Sequence, residues 1–322
     1  MRVEEIRTPQ EKERYSRIAA ETGTLFNRPE WLDTFGDRAK ILGFYDKGGR
    51  LVGGFSLYRQ KRLLWTIYRD PPLTPGIGPV LSLEAKNYPS ILTKQKEALA
   101  AMALAIDRLP YSIVSLSLNR SVVDTQPFLW KKFKVTPVYT YLLDLQKSAD
   151  EIYKGMGSEK RNDIQKALKD GLTTGPVEDY RIVKTLVLKS FARQKKNFDR
   201  RHLDDVLFRA ARPENSFAFA AYARSRPLAA SFCVHDRTTA YYLLGGYDSE
   251  GKHHGAGTLA LWGAIQQAQG LGLQYFDFEG SMIPAIERYF RGFGGRIVPY
   301  YRLNKARWLY EVFLKIPKRE FF

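Results

Sequence analysis

Cysteine is nearly missing. Cys233 stands alone in 322 residues, which excludes an intramolecular disulfide framework and a zinc cluster built from thiolates alone. Its apolar neighbours, Ala229 to Val234, point to a buried, inert thiol. Histidine is scarce as well. His202, His235, His253 and His254 do not fall at metal-ligand spacing, so no metal is expected. No apolar run is long enough for a membrane-crossing helix. Met1 to Arg7 carries no apolar stretch of the kind a signal peptide uses, so the cytoplasm is the expected compartment. No Gly-x-Ser-x-Gly elbow surrounds Ser281, which argues against a serine hydrolase. Recognition-helix and zinc-finger motifs are absent, which argues against a nucleic-acid regulator. No short internal repeat and no low-complexity segment is visible.

What is present is an ordinary soluble composition, 44% hydrophobic and 26% charged, in a chain of about two domain lengths. Such a chain can bury a full core without staples. Bases exceed acids, 51 to 34, for a net charge of +17. The excess is spread over both halves with two local peaks. One holds Lys189, Arg193, Lys195, Lys196, Arg200 and Arg201 against Asp199 alone; the other is the tail from Arg302 to Arg319, opposed only by Glu311. Either these are solvated faces, or they meet a phosphate-rich partner such as a nucleotide cofactor, tRNA or an anionic membrane. The tail mixes its bases with aromatics, as interfacial segments do, and is a candidate for peripheral membrane contact; a final helix docked on a sheet is the alternative.

Two halves are expected, residues 1–145 and 146–322, each mixing strands and helices. In the first, helices are predicted over Thr8 to Thr22, from Pro29, and over Ser90 to Leu109. Asp46 to Arg50 reads as a hairpin turn between strands 39–45 and 51–58, and further strands are expected at 111–118 and 138–145. In the second, a helix around residues 158–170 precedes helices at 180–196 and 200–211. Strands follow at 216–223, 227–235 and 239–246, then a helix at 255–270, a buried strand at 273–278, a helix at 284–291 and a strand at 296–303. This order predicts a mixed α/β (α+β) architecture, sheets flanked by helices, and not the regular alternation of a doubly wound fold.

Two segments carry chemistry. In the first, a strand through Tyr242, Leu243 and Gly245 leads to Lys252, Gly255, Ala256, Gly257 and Thr258 at a helix start. The open N–H groups and positive dipole end of a first helical turn suit phosphate, and glycine lets it approach. A tight turn before a closely packed helix is the competing reading. In the second, Phe276-Asp277-Phe278-Glu279 alternates, which puts Asp277 and Glu279 on one face as candidates for a general base. A solvated or ion-paired edge is the competing reading. Tyr241, Tyr242 and Tyr247 either protonate a leaving group or pack the sheet.

The spacing Lys252-x-x-Gly255-x-Gly257, followed by helix, strand, and a helix ending Arg291-Gly292-Phe293-Gly294-Gly295, resembles the GNAT acyltransferases, whose phosphate loop reads Arg/Gln-x-x-Gly-x-Gly/Ala. Three segments are similar to the FemAB-like branch, two GNAT-like folds in tandem with the first degenerate. These are Phe26-x-x-Pro29-Glu30-Trp31-Leu32, the helix Lys160-Arg161-Asn162-x-Ile164-x-Lys166-Ala167, and Phe276 to Ser281 followed by Tyr289-Phe290-x-Gly292-Phe293-Gly294. Phe290 stands where that branch often has lysine, and Arg291 follows it.

The resemblance implies attack of an amine on an activated acyl carbonyl. Under it, Glu279, Asp277 and Tyr242 are the candidate catalytic residues. Leu243, Gly245, Lys252, Gly255, Ala256, Gly257 and Thr258 would hold an acyl-CoA donor; Arg161, Asn162, Tyr289 and Arg291 are candidates for the acceptor. Three functions follow: transfer from acyl-CoA to a small-molecule or cell-wall-precursor amine; transfer of an amino acid from aminoacyl-tRNA to a peptidoglycan precursor; and a non-catalytic binding module. The glycine loop favours the first, and the duplication and basic run favour the second.

Overall fold

In the computed structural model, residues 1–193, 199–251, 253–280 and 282–315 are described. The first helix starts where its caps dictate: the Thr8 hydroxyl accepts the Glu11 amide, and the Glu11 carboxylate answers the Thr8 amide at 3.1 Å. The elements of the first half are β1 (Arg2–Glu5), α1 (Pro9–Thr22), α2 (Pro29–Leu32), β2 (Ala39–Tyr45), β3 (Leu51–Arg62), β4 (Trp65–Arg69), β5 (Val80–Leu81), α3 (Tyr88–Asp107), β6 (Ile113–Ser117), α4 (Gln126–Trp130) and β7 (Lys134–Asp144). Those of the second are α5 (Ala149–Gly155), α6 (Ser158–Lys169), β8 (Leu172–Pro176), α7 (Tyr180–Arg193), α8 (Arg200–Asp205), β9 (Ser216–Ala223), β10 (Arg226–His235), β11 (Thr239–Tyr247), α9 (Ala256–Gly270), β12 (Tyr275–Asp277), α10 (Pro284–Arg291), β13 (Arg296–Ala306) and α11 (Trp308–Lys315).

The chain forms two units. One is Met1–Val138 with Pro299–Phe322, the other Tyr139–Val298. The division therefore falls inside β7 rather than at residue 145, and the end of the chain belongs with the first unit. The physical reason is pairing: β13 runs antiparallel to β6, with Arg302 opposite Ser117 and Ala306 opposite Ile113.

In the first unit β1, β2, β3 and β4 form an antiparallel run, β4 pairs in parallel with β6, and β6 meets β13. In the second, β8, β9, β10 and β11 form the antiparallel run, β11 pairs in parallel with β12, and β12 meets β7 antiparallel. Two helices precede the second strand of each run, and α3 or α9 makes the parallel crossover. Both halves thus carry one design, a mixed sheet flanked by helices, and the last strand of each half completes the sheet of the other unit. Four short strands, β1, β4, β5 and β8, were not predicted; β8, Leu172-Thr173-Thr174-Gly175, lacks an apolar alternation, and β5 is only two residues long.

Each sheet has its own core. Phe44, Phe55, Met102, Leu116 and Phe128 fill the first; Ile164, Leu261, Ile265, Phe276 and Phe293 fill the second. Helix α9 is apolar on nearly all sides and buried accordingly, from Ala256 through Ile265.

Candidate active site

The site begins where two parallel strands separate. β11 and β12 pair only at Thr239–Tyr275, Ala240–Phe276 and Tyr241–Asp277. Two local features end the pairing. On β11, Cys233 faces Tyr242 but Phe232 faces Leu244, so Leu243 is an extra, bulged residue that bends its strand. On β12, Glu279 and Gly280 turn left-handed, with φ of 59° and 63°. Gly280 has no substitute there, since a Cβ would stand 2.0 Å from the Tyr139 carbonyl oxygen. A left-handed glutamate is strained by roughly 1–2 kcal/mol. This turn also corrects the expected alternation: Glu279 leaves the strand and does not share the face of Asp277.

Asp277 holds the turn from below. It is 5% exposed, accepts the Thr140 hydroxyl at 2.5 Å, and accepts the Glu279 amide at 2.9 Å. Glu279 is half-buried and lines a cleft of about 760 Å³ that opens between the parted strands.

The strand edge on the other side of the gap has a defined polarity. The Tyr247 amide donates to Ser190 Oγ on α7 at 2.8 Å, whereas the Asp248 amide donates to Leu228 on β10 at 2.7 Å. Backbone direction alternates along a strand, so Gly245, two residues before Tyr247, presents its N–H and C=O to the same open side. Gly245 itself has no room for a side chain, because the Tyr242 hydroxyl lies 1.9 Å from where its Cβ would be. Asp248 anchors the strand end, accepting from Arg226 at 2.7 Å and Lys189 at 3.1 Å; the Arg226 guanidinium first, then Lys189, hold its carboxyl at about 2.

The start of α9 forms another wall. His253 serves two of the first amides: its ring Nδ1 accepts from Gly255 at 3.2 Å, and its carbonyl accepts from Ala256 at 3.1 Å. Gly257 and Thr258 follow at the second and third helical positions, where the helix itself offers no acceptor. Gly255 is a packing residue, since its Cβ would stand 2.2 Å from the Asp163 carbonyl oxygen on α6. Beneath lies a buried polar knot. Asp163 accepts from Thr258 Oγ1 at 3.1 Å and Lys160 Nζ at 3.3 Å, and meets His254 Nδ1 at 3.0 Å. Lys160 Nζ sits 4.6 Å from the centre of the Tyr289 ring.

Burial pushes the Tyr242 phenol well above its ordinary range, with Ser231 pulling weakly the other way. The Tyr289 phenol is raised too, by burial first and then by Tyr242. Both are neutral donors at pH 7.

The structure brings Tyr242, Leu243, Gly245, Gly257, Thr258, Glu279 and Tyr289 to one cleft. Gly255, Ala256 and Asp277 sit behind its wall. Arg161 is elsewhere, donating to the carbonyls of Lys154 and Met156 at the end of α5. Asn162 is exposed on α6, and Arg291 pairs with Glu287 at 3.0 Å on α10. Lys252 and Ser281 lie outside the described residues. Sequence reasoning passed over Asp163, Ser190 and Ser231. Only Asp163 left a signal, three residues after Lys160 and so on the same helix face.

Residues 158–291, from α6 to α10, match the family model for the acetyltransferase (GNAT) domain. The chain has a GNAT/FemX-like fold. FemX superposes over 97% of this chain and 99% of its own with a TM-score of 0.70 at 13% identity. L-PGS from Bacillus licheniformis aligns over 98% and 97% with a TM-score of 0.57 at 12% identity. The C-terminal domain of a putative lysylphosphatidylglycerol synthetase from Agrobacterium fabrum aligns over 94% of both chains, TM-score 0.57, at 12% identity. At these identities the likeness is one of fold. No curated protein sequence matches the chain significantly. Among the described residues no cluster of His, Cys, Asp and Glu is placed to hold a metal ion, and no helix is long and apolar enough to cross a membrane.

Proposed function

We propose that this GNAT-fold chain is an N-acyltransferase whose donor is an acyl-CoA thioester and whose acceptor is an amine. One observation supports the reading: β11 and β12 pair no further than Tyr241 and Asp277, and Gly245 and Glu279 both line the cleft beyond that point. A pantetheine arm is extended and carries amides, so it can add to the open edge of β11 as a strand would. The Gly257 and Thr258 amides are the donors for its pyrophosphate. With the thioester in the gap, the Gly245 amide polarises the carbonyl. The amine nitrogen forms its bond to carbon as the carbon–sulfur bond breaks. Glu279 takes the nitrogen's proton and releases it to solvent, and the neutral Tyr242 hydroxyl donates a hydrogen bond to the departing thiolate, which takes its proton from solvent.

A second reading has its own support. FemX matches both units rather than the GNAT segment alone, and a lysylphosphatidylglycerol synthetase, by its name, joins an amino acid to a lipid. Transfer from aminoacyl-tRNA to a cell-wall or lipid acceptor would use the same amide and carboxylate. Thermal melts with acetyl-CoA, longer acyl-CoAs and aminoacyl-tRNA separate the two. A donor at a hundred times its Kd stabilises by about 2.7 kcal/mol and raises Tm by several degrees. Acyl-CoA is expected to do so. Stabilisation by aminoacyl-tRNA alone would transfer the assignment to the second reading, and a response to neither would leave a non-catalytic module.

A further inference from the structure

The first unit carries a surface that the transfer reaction does not use. β3 and β4 are joined by a two-residue turn, Leu63-Leu64, with Arg62 paired to Trp65 at its base. The two leucines are 99% and 91% exposed. Leu63 has a φ of 53°, at the first central position of a tight hairpin turn, where glycine is the ordinary choice. Folding alone gives no reason for a leucine in a strained, solvent-facing turn, and two side by side make the hairpin tip apolar.

The tip does not stand alone. Trp65 packs edge-on against Tyr310 of α11, with ring centres 4.7 Å apart. Around Tyr310, α11 turns Trp308, Leu309 and Val312 outward, all more than half exposed. The start of this helix is tied beside the start of β4 through Ser112, whose amide donates to the Thr66 carbonyl and whose carbonyl accepts the Arg307 amide at 3.0 Å. The hairpin and α11 are thus neighbours, and each turns large apolar side chains to solvent.

Its charge names the partner. From Tyr58 to Arg69 the sequence has Arg59, Lys61, Arg62 and Arg69 and no acid. Lys61 and Arg62 are exposed beside the leucines and Arg307 at the head of α11, against one acid on that helix, the half-buried Glu311. Apolar tips ringed by bases match a bilayer interface whose headgroups are anionic: the leucines and tryptophan enter the acyl boundary, and the bases stay at phosphate level. We infer that the Leu63–Leu64 hairpin and the outer face of α11 form a docking surface for an anionic phospholipid bilayer. The occupant is the lipid surface itself and not a second copy of the chain, since two patches of like positive charge would repel.

Flotation of the full chain with vesicles tests this. The probes are phosphatidylcholine vesicles and phosphatidylcholine vesicles containing phosphatidylglycerol, at low and high salt. The discriminating variant is L63G/L64S, which removes the apolar tip while relaxing the turn, so that it folds at least as well. The wild type is expected to float with the anionic vesicles and less so at high salt. The variant should bind them at least about tenfold more weakly, with an unchanged melting temperature. Equal binding by the variant would show that the bases act without the leucines and would overturn the proposal. So would failure of the wild type to bind anionic vesicles, or a dimer in solution that L63G/L64S dissolves.

Discussion

At Glu279 backbone strain coincides with the proposed base. Its left-handed backbone costs roughly 1–2 kcal/mol that glycine would not incur. A carboxylate kept at that cost beside the cleft suits the base of the transfer proposed above. Two substitutions separate the terms. Glu279→Gln keeps shape and backbone while removing the base, and turnover is expected to fall about 10²–10⁴-fold with Tm nearly unchanged. Glu279→Gly should be equally inactive yet as stable as the parent, or more stable by about 1 kcal/mol. Single-turnover kinetics and melting curves read both. Wild-type turnover in Glu279→Gln would remove this residue from the chemistry.

At the scale of elements, the site depends on two packed junctions: the parting of β11 from β12, and the seating of α9 on α6. The glycines at the head of α9 report on the second junction and differ in kind. Gly255 lies against the Asp163 backbone, which cannot yield, whereas a Cβ at Gly257 would meet only the Tyr289 hydroxyl at an ordinary 3.7 Å. Gly255→Ala is therefore expected to cost about 1–3 kcal/mol of stability. Gly257→Ala should leave Tm in place, or raise it slightly through helix propensity. Because Gly257 faces the cleft, its variant should raise the KM for the acyl donor. Thermal denaturation beside a donor titration distinguishes them. Equal losses of stability would mean that α9 and α6 are seated differently from the geometry above.

For the whole molecule, the exchange of last strands has a mechanical consequence. β13 closes the sheet of the first unit on β6, and β7 closes that of the second on β12. Neither half of the chain can complete its own sheet. Residues 1–145 expressed alone should expose the edge of β6 and aggregate or stay partly unfolded. A chain ending at Val298 should lose stability in its first unit for the same reason. Circular dichroism and limited proteolysis of the two truncations check this; a soluble, cooperatively melting 1–145 fragment would contradict it.

Much of this architecture was legible in the sequence. Pro29 announced the start of α2. The Asp46 to Arg50 turn announced the hairpin of β2 and β3, and the apolar run Ala229 to Val234 announced β10, which is buried nearly throughout rather than alternately. The glycines, Asp277 and Glu279 were visible as candidates for the same kind of reason: each is a local exception to its surroundings. What the sequence could not show is who meets whom. Asp163 joins Thr258 and His254 across more than ninety positions, Ser190 caps the edge of β11, and Leu63-Leu64 finds Tyr310 through Trp65. Local pattern determines which face of an element is apolar. Long-range pairing, decided by the closing of the sheets, determines which carboxylate reaches the cleft, which arginine is spent on a helix end, and which half of the chain holds the final strand.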